Sequence, residues 1–182
     1  MPSIEKLSNA QEFLLKYWLK CGGLTSPKLP SRSDIDPPKV GRHMGWVVIF
    51  EKQENPIDFK YRLIGTEVTS LISMDYTGKS LSTIPGKGEG SRIWKFLTKT
   101  LEEQKPLLEV LPYVGPQEQV SHTTLLSLPL ASDGIHPQMV LLTVDFVKWS
   151  FLDSNNTLDE KVVALRMFLE NTAKAEQENS HT

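Results

Sequence analysis

The sequence predicts an α+β protein, and three observations predict it. Apolar residues recur at helical spacing near both ends of the chain. Between them lie β-rich runs in two groups, two before and three after a helical insertion. Gly, Pro, Asn and Asp punctuate the junctions. Strands segregated in this way from helices, rather than alternating with them one for one, describe an α+β arrangement.

Asn9 followed by Glu12 reads as a capping box, opening a helix that runs to about Cys21 and stops at Gly22-Gly23. Leu7, Ala10, Leu14, Tyr17 and Cys21 step by threes and fours, and Phe13 and Trp18 widen the stripe. Such a stripe has to be covered, either by the protein's own sheet or by a second subunit. A polar, proline-containing linker follows, then Asp36-Pro37, a helix start with proline at the first helical position. Gly41 and Gly45 keep that helix short.

Trp46 to Phe50 is a continuous apolar run, suited to a central strand. Asn55-Pro56 turns the chain into a second strand, where Phe59, Tyr61 and Leu63 alternate with Lys60, Arg62 and Ile64. The two runs make a hairpin. Gly65 and Thr66 end the second strand and open a short helix carrying Val68, Leu71 and Ile72. Asp75 to Gly78 is a turn, with Thr66 and Thr77 at capping positions and Gly65 and Gly78 where the backbone needs freedom. The glycine-rich loop from Pro85 to Gly90 has no Gly-Lys-Ser/Thr and does not follow a buried strand, so it does not read as a phosphate loop.

A helix spans about Ser91 to Gln104, with Ile93, Phe96, Leu97, Thr100 and Leu101 on its buried face, and Pro106 ends it. Three strands follow, at Leu107 to Tyr113, Gln119 to Ala131 and Gln138 to Ser150; the last, long and β-branched, belongs inside the sheet. A final helix runs from about Leu158 to Lys174, with Leu158, Val162, Leu165, Leu169 and Thr172 in line.

Composition narrows the functional classes. With 182 residues, 39% hydrophobic and 23% charged, the chain has material for a real core. A net charge of −2 gives no general pull toward nucleic acid or anionic membrane. No apolar run approaches a membrane span and no signal peptide is visible, so a cytoplasmic location is expected. The single cysteine, Cys21, excludes an internal disulfide and a CxxC metal site. His43, His122, His136 and His181 are far apart, and no metal site is expected from them. There is no GxSxG elbow, and no catalytic residues are assigned. Arg62 and Asp145 interrupt apolar strand segments, where a charge needs water or a partner. Either they point outward, or Arg62 fixes the polar end of a ligand or pairs with an acid.

Certain short motifs, in order, resemble a known family. They are Pro30-Ser31-Arg32, Asp34 and Asp36-Pro37; then Tyr61-Arg62-Leu63, Gly65-Thr66, Asp75 and Thr77-Gly78; then Leu128-Pro129-Leu130 with Asp133-Gly134. Over roughly Ser31 to Ser150 the chain resembles a bacterial family of small, often single-domain PAS-like proteins. Two departures stand out: Val40 to Gly45 is more polar and glycine-rich than that family's leucine-rich helix, and Met74 replaces a small residue.

The resemblance implies a PAS-like five-stranded antiparallel sheet with helices on one face, plus N- and C-terminal flanking helices. It divides the chain into 1–30 (helix and linker), 31–150 (PAS-like domain) and 151–182 (helix and tail). A cavity between sheet and helices would be lined by Phe50, Tyr61, Arg62, Ile72, Trp94, Phe96, Leu97, Leu128, Val144 and Phe146. No histidine lies between Thr66 and Gln104 to ligate a haem, and Cys21 lies outside the core where a flavin or a thiol-linked chromophore would need it, so no cofactor is expected. Leu7, Leu14, Tyr17, Leu158, Val162, Leu165 and Leu169 would form a homodimer seam. The function implied is a stand-alone regulatory module that senses a small ligand or mediates signalling with a protein partner. A ligand-free interaction adaptor is the alternative, and a small α+β enzyme the third reading.

Overall fold

The computed structural model describes residues 7–24, 28–148 and residue 169. Val47–Glu54 (β1) and Ile57–Ile64 (β2) form the expected antiparallel hairpin. Leu107–Pro112 (β3), Val120–Leu130 (β4) and Met139–Lys148 (β5) follow the helical insertion. All pairings are antiparallel, in the order β2-β1-β5-β4-β3. The β-branched β5 sits in the middle, as its composition predicts.

Alternation along each strand divides the apolar residues between two faces. β1 sends Val48 and Phe50 to one core and Val47 and Ile49 to the other; β5 sends Val140, Leu142 and Val144 to the first and Leu141 to the second. The helices of the insertion, Thr66–Ile72 (α3) and Arg92–Glu103 (α4), cover the first face. The second is covered by Asn9–Lys20 (α1) and by the lead-in, which contains Pro37–Val40 (α2) and the 3-10 turns Arg32–Asp34 and Gly41–Trp46.

β2 departs from simple alternation. Phe50 pairs with Tyr61 but Ile49 pairs with Leu63, which leaves Arg62 as the extra residue of a bulge. Phe59 and Tyr61 therefore face the first core, whereas Leu63 packs on the second. The expectation that all three share a face is corrected here: one inserted residue reverses the parity of everything beyond it.

The start of α1 is also corrected. Ser8 is the N-cap, accepting from Gln11 N–H at 3.3 Å, while its own N–H donates to Gln11 Oε1 at 3.1 Å. The capping box is thus Ser8–Gln11, one residue before the expected Asn9–Glu12. The buried face runs through Ala10, Leu14, Leu15, Trp18 and Leu19. Gln11 is buried with it and donates through Nε2 to the Thr124 carbonyl at 3.1 Å and the Thr124 hydroxyl at 3.2 Å. Trp18 Nε1 donates to the Pro129 carbonyl at 2.9 Å. The helix is therefore seated on its own sheet, on β4.

The two glycines read as points of backbone freedom have different reasons. Gly78 has φ +84°, a left-handed conformation that side chains resist. Gly65 has an ordinary extended φ, but a Cβ there would lie 2.2 Å from the Gly45 carbonyl oxygen. It permits the lead-in to press against the start of α3.

Both sheet edges are blunted. Beyond β2, Tyr61 N–H donates to the Lys79 carbonyl and Gly78 N–H to the Tyr61 carbonyl, at 3.0 and 2.8 Å. On β3, Val110 N–H donates to Glu109 Oε1 at 2.9 Å, its carbonyl accepts from Arg92 Nη2 at 2.7 Å, and Pro112 has no N–H to offer. Neither edge presents a long free ladder for another strand. Among the described residues no helix is long and apolar enough to cross a membrane.

Candidate functional site

Among the described residues, the face beneath α3 and α4 carries most of the aromatic side chains. Ser91 caps α4, accepting from Trp94 N–H at 3.3 Å, and the helix buries Trp94, Phe96, Leu97, Thr100 and Leu101. Trp94 meets Phe59 edge-on at 5.2 Å between ring centroids. Phe50 lies 4.3 Å from Tyr61, and Tyr61 stacks on Tyr76 at 5.8 Å. Offset and edge contacts of this kind fix ring orientation as well as burying area. Burial, with the Tyr76 phenol as a smaller cause, holds the Tyr61 hydroxyl well above the usual phenol range, so it stays protonated.

Polar groups bound this apolar centre. The Asp58 carboxylate accepts from Phe59 N–H at 2.7 Å, Ser82 N–H at 3.3 Å and the Ser82 hydroxyl, and so fastens the 3-10 turn Leu81–Thr83 to the start of β2. Thr100 Oγ1 donates to the Phe96 carbonyl at 2.9 Å and lies 2.7 Å from Ser127 Oγ on β4. At the outer rim, Lys87 Nζ lies 5.4 Å and Lys79 Nζ 5.7 Å from the Tyr76 ring centroid.

Of the residues expected to line a cavity, Phe50, Tyr61, Trp94, Phe96, Leu97 and Val144 are buried here, and Ile72 and Phe146 are half-buried against them. Two expectations are corrected. Leu128 belongs to the opposite core, because β4 places Leu125 beneath α4 and Leu126, Leu128 and Leu130 beneath α1. Arg62, the bulge residue, is exposed and lies 3.6 Å from Glu51, so it pairs with an acid at the surface rather than reaching the interior. Asp145 is half-buried on β5, opposite Thr124.

The seam residues divide. Leu14 is 1% exposed in the single chain and lies against its own sheet, which corrects its assignment to a subunit interface. Leu7 and Tyr17 are half-buried at the rim of that core, and the Tyr17 hydroxyl donates to the Asp34 carbonyl at 3.0 Å. Leu169 is helical, half-buried and packed on the same core. Leu158, Val162 and Leu165 lie outside the described residues.

Sequence reasoning missed Tyr76, Lys79 and Lys87. They sit in turns and loops between Ser73 and Gly90, where no periodicity tells which side chains face the domain. His43 stacks on Phe13 at 4.3 Å, and burial, then Arg42, lowers its pKa. His122 Nδ1 lies 2.7 Å from Ser121 Oγ, and His136 pairs with Asp133 at 2.7 Å in an exposed turn. Among the described residues no cluster of His, Cys, Asp or Glu could hold a metal ion.

An open groove of about 640 Å³ lies between the end of α1 and the lead-in, bordered by Tyr17, Cys21, Arg32, Asp34, Asp36 and Lys39. Its polar groups satisfy one another. Tyr17 bonds Asp34 and Asp36, Arg32 donates to the Ile35 carbonyl, and Lys39 pairs with Asp36. The Cys21 thiol donates to the Asp34 carbonyl oxygen at 3.7 Å; burial, then the Asp34 charge, raises its pKa, which suits packing rather than reactivity.

A five-stranded antiparallel sheet in this order, with helices on it, defines a PAS-type fold. The sequence pattern of the PAS domain matches residues 6–143, most of the chain, and the protein belongs to that family. The matched span begins just before α1. PAS domains are generally sensory rather than catalytic. Among solved structures, the PAS domain of the histidine kinase ThkA is similar at 13% identity, covering 54% of this chain and 97% of that one, with a TM-score of 0.39. A sensory box sensor histidine kinase from Vibrio cholerae is similar at 18% identity, covering 57% and 83%, with a TM-score of 0.41. No curated protein matches.

Proposed function

We propose that this chain is a regulatory PAS module in which a small ligand, or a signalling partner, acts on the α3–α4 face and α1 reports the event. The observation that carries this reading is the double attachment of β4. On one side Thr124 accepts two hydrogen bonds from Gln11 of α1; on the other Ser127 is bonded to Thr100 of α4. One strand thus ties the helix over the aromatic face to the helix over the opposite face. A ligand that favours one α4 position shifts the other helix only through differential affinity for two arrangements.

Hydrogen exchange of the Thr100→Val, Ser127→Ala double variant tests the coupling. The expected result is altered protection of α1 amides; unchanged protection would sink the transmission idea. Native and then denaturing mass spectrometry of freshly purified protein reads captured ligand and subunit count together. Extra mass that leaves on denaturation supports sensing.

Ring packing through Phe50, Tyr61, Phe59 and Trp94 favours a second reading, an adaptor whose interior is filled by its own side chains. A clean apo mass, with a partner interaction that survives, supports that reading. In either case the C-terminal segment carrying Leu158, Val162 and Leu165 is proposed to complete a homodimer. Replacing Val162 and Leu165 by Glu should then lower the oligomeric mass. Neither reading includes catalysis, and a turnover screen that found activity would overturn both.

A further inference from the structure

The two helices over the aromatic face are held unequally. α4 has 12 residues, is capped by Ser91, buries Trp94, Phe96, Leu97, Thr100 and Leu101, and is bonded to β4 through Thr100 and Ser127. α3 has 7 residues, no side-chain cap at Gly65, and buries only Val68. Its Leu71 and Ile72 are half-buried, and Ser73, Met74 and Asp75 after them are exposed. A helix this short is not stable by propensity alone and needs its packing. The segment is fixed at both ends: Gly65 N–H donates to the Val47 carbonyl and Gly78 N–H to the Tyr61 carbonyl, each at 2.8 Å. Between those points, among the described residues, one hydrogen bond reaches 66–75 from another element. It is the bond from the Tyr113 hydroxyl to the Leu71 carbonyl, at 2.6 Å.

Tyr113 is well placed to hold this segment. It follows the end of β3, and its ring meets Phe146 of β5 edge-on at 5.8 Å between centroids. Gln117 N–H donates to its oxygen at 3.2 Å, which leaves the hydroxyl proton for Leu71. The Leu71 carbonyl lies in the last turn of α3, where carbonyls lack partners within the helix. Tyr113 therefore caps α3 from across the sheet. Beneath the helix lie Ile64, Leu111 and Phe146, half-buried and packed on the core, with Trp46 tilted against Phe146 at 6.4 Å. This end of the face has a thin cover, whereas the α4 end is closed.

We propose that α3, with the turn through Asp75, is a lid on the aromatic face, latched by Tyr113, which opens while the sheet and α4 stay packed. Opening breaks the Tyr113–Leu71 bond and lifts Leu71 and Ile72, while the bonds at Gly65 and Gly78 stay in place as pivots. It uncovers Ile64, Phe146 and the Tyr113 ring. The cost is local, because the lid has one buried side chain and one tie to release. The open lid is the way in to a face whose rings otherwise pack on one another. The proposal goes beyond the regulatory reading by naming the moving part, and it holds whether or not α4 is coupled to α1.

The test is native-state hydrogen exchange of the full chain, comparing the amides of Thr69 to Ile72 in α3 with those of Phe96 to Leu101 in α4. In the wild type the α3 amides should exchange at least tenfold faster, and low denaturant should leave their rate unchanged while the α4 rate climbs. Tyr113→Phe keeps the ring and its contact with Phe146, so it should fold. It should speed α3 exchange a further 3–10-fold or so, the loss of about one hydrogen bond, and leave α4 unchanged. Ile72→Ala, which loosens the lid without touching the latch, should act with the same selectivity. Equal exchange of the two helices in the wild type, rising together with denaturant, overturns the lid. Unchanged α3 exchange in Tyr113→Phe overturns the latch, and an equal change in both helices overturns the independence of α3. The test of the regulatory reading follows α1 amides after the Thr100–Ser127 change, and this one follows α3 amides, so each proposal can fail alone.

Discussion

The two faces of the sheet are made by the same five strands, yet they bury different chemistry. Beneath α1 the core is mainly aliphatic, built of Leu14, Leu15, Val47, Ile49, Leu126, Leu128 and Leu141 around Trp18. Two hydrogen-bonded ties hold α1 in register, Gln11 to Thr124 and Trp18 to Pro129. Beneath α3 and α4 the core is aromatic and has a polar margin, with hydroxyls at Tyr61, Thr100 and Ser127 and ammonium groups at Lys79 and Lys87. Aliphatic packing with fixed hydrogen bonds resists rearrangement. On the other face the rings pack on one another beneath α4, and the ammonium groups of Lys79 and Lys87 lie over Tyr76 at the margin. The difference teaches that one sheet serves two purposes: one face fixes a flanking helix by hydrogen bonds, and the other packs rings beneath the helical insertion.

The sharpest way to break this contrast is to damage the anchoring face. Trp18→Ala should cost about 3–5 kcal/mol by chemical denaturation, since it empties a fully buried site and leaves the Pro129 carbonyl without its donor. A loss under 1 kcal/mol would mean that α1 is not integral to the domain. Gly65→Ala should cost about 3 kcal/mol or more, because the added Cβ meets backbone rather than a yielding side chain. Gln11→Ala should cost about 1–3 kcal/mol, as it removes the side-chain half of the capping box and the tie to β4, leaving the Ser8 cap itself in place. Raised exchange of α1 amides should accompany it. On the other face, Phe50→Leu should cost less, about 1–2 kcal/mol, if the rings tolerate repacking; an equal or greater loss than Trp18→Ala would erase the distinction between the faces.

The smallest effect is a pH dependence. The pKa of Lys87 is depressed by burial, so its protonation opposes folding below the folded value. That penalty is relieved as pH climbs through the folded pKa toward the unfolded value of about 10.4. The wild type should therefore gain stability relative to Lys87→Met over that alkaline window and keep a constant difference from it nearer neutrality. A constant difference at all pH values would show that Lys87 is not desolvated.

Much of this architecture was legible in the chain. Strand runs at Val47, Phe59, Leu107, Val120 and Met139 announced themselves by β-branched and apolar composition, and Ser91, Gly78 and Pro106 marked ends that local chemistry dictates. The site was legible in part. The burial of Phe50, Tyr61, Trp94 and Leu97 was legible because aromatic and aliphatic residues on strands and a periodic helix have to leave water. Leu128 and Leu63 were misplaced because parity depends on where a strand begins and on a bulge that only pairing partners reveal. Tyr76, Lys79 and Lys87 had no signal, since they come from turns whose direction is decided by what packs beside them.

The sequence by itself determined the fold class, the order of elements and the set of residues that must leave water. Those follow from local propensity, periodicity and turn chemistry, which act over a few residues. Only the tertiary structure decided that α1 covers its own sheet, that Arg62 is a bulge, and that Lys87 meets the Tyr76 ring. Each of those depends on contacts between residues distant in the chain, where alternation and spacing carry no information about which surface will arrive.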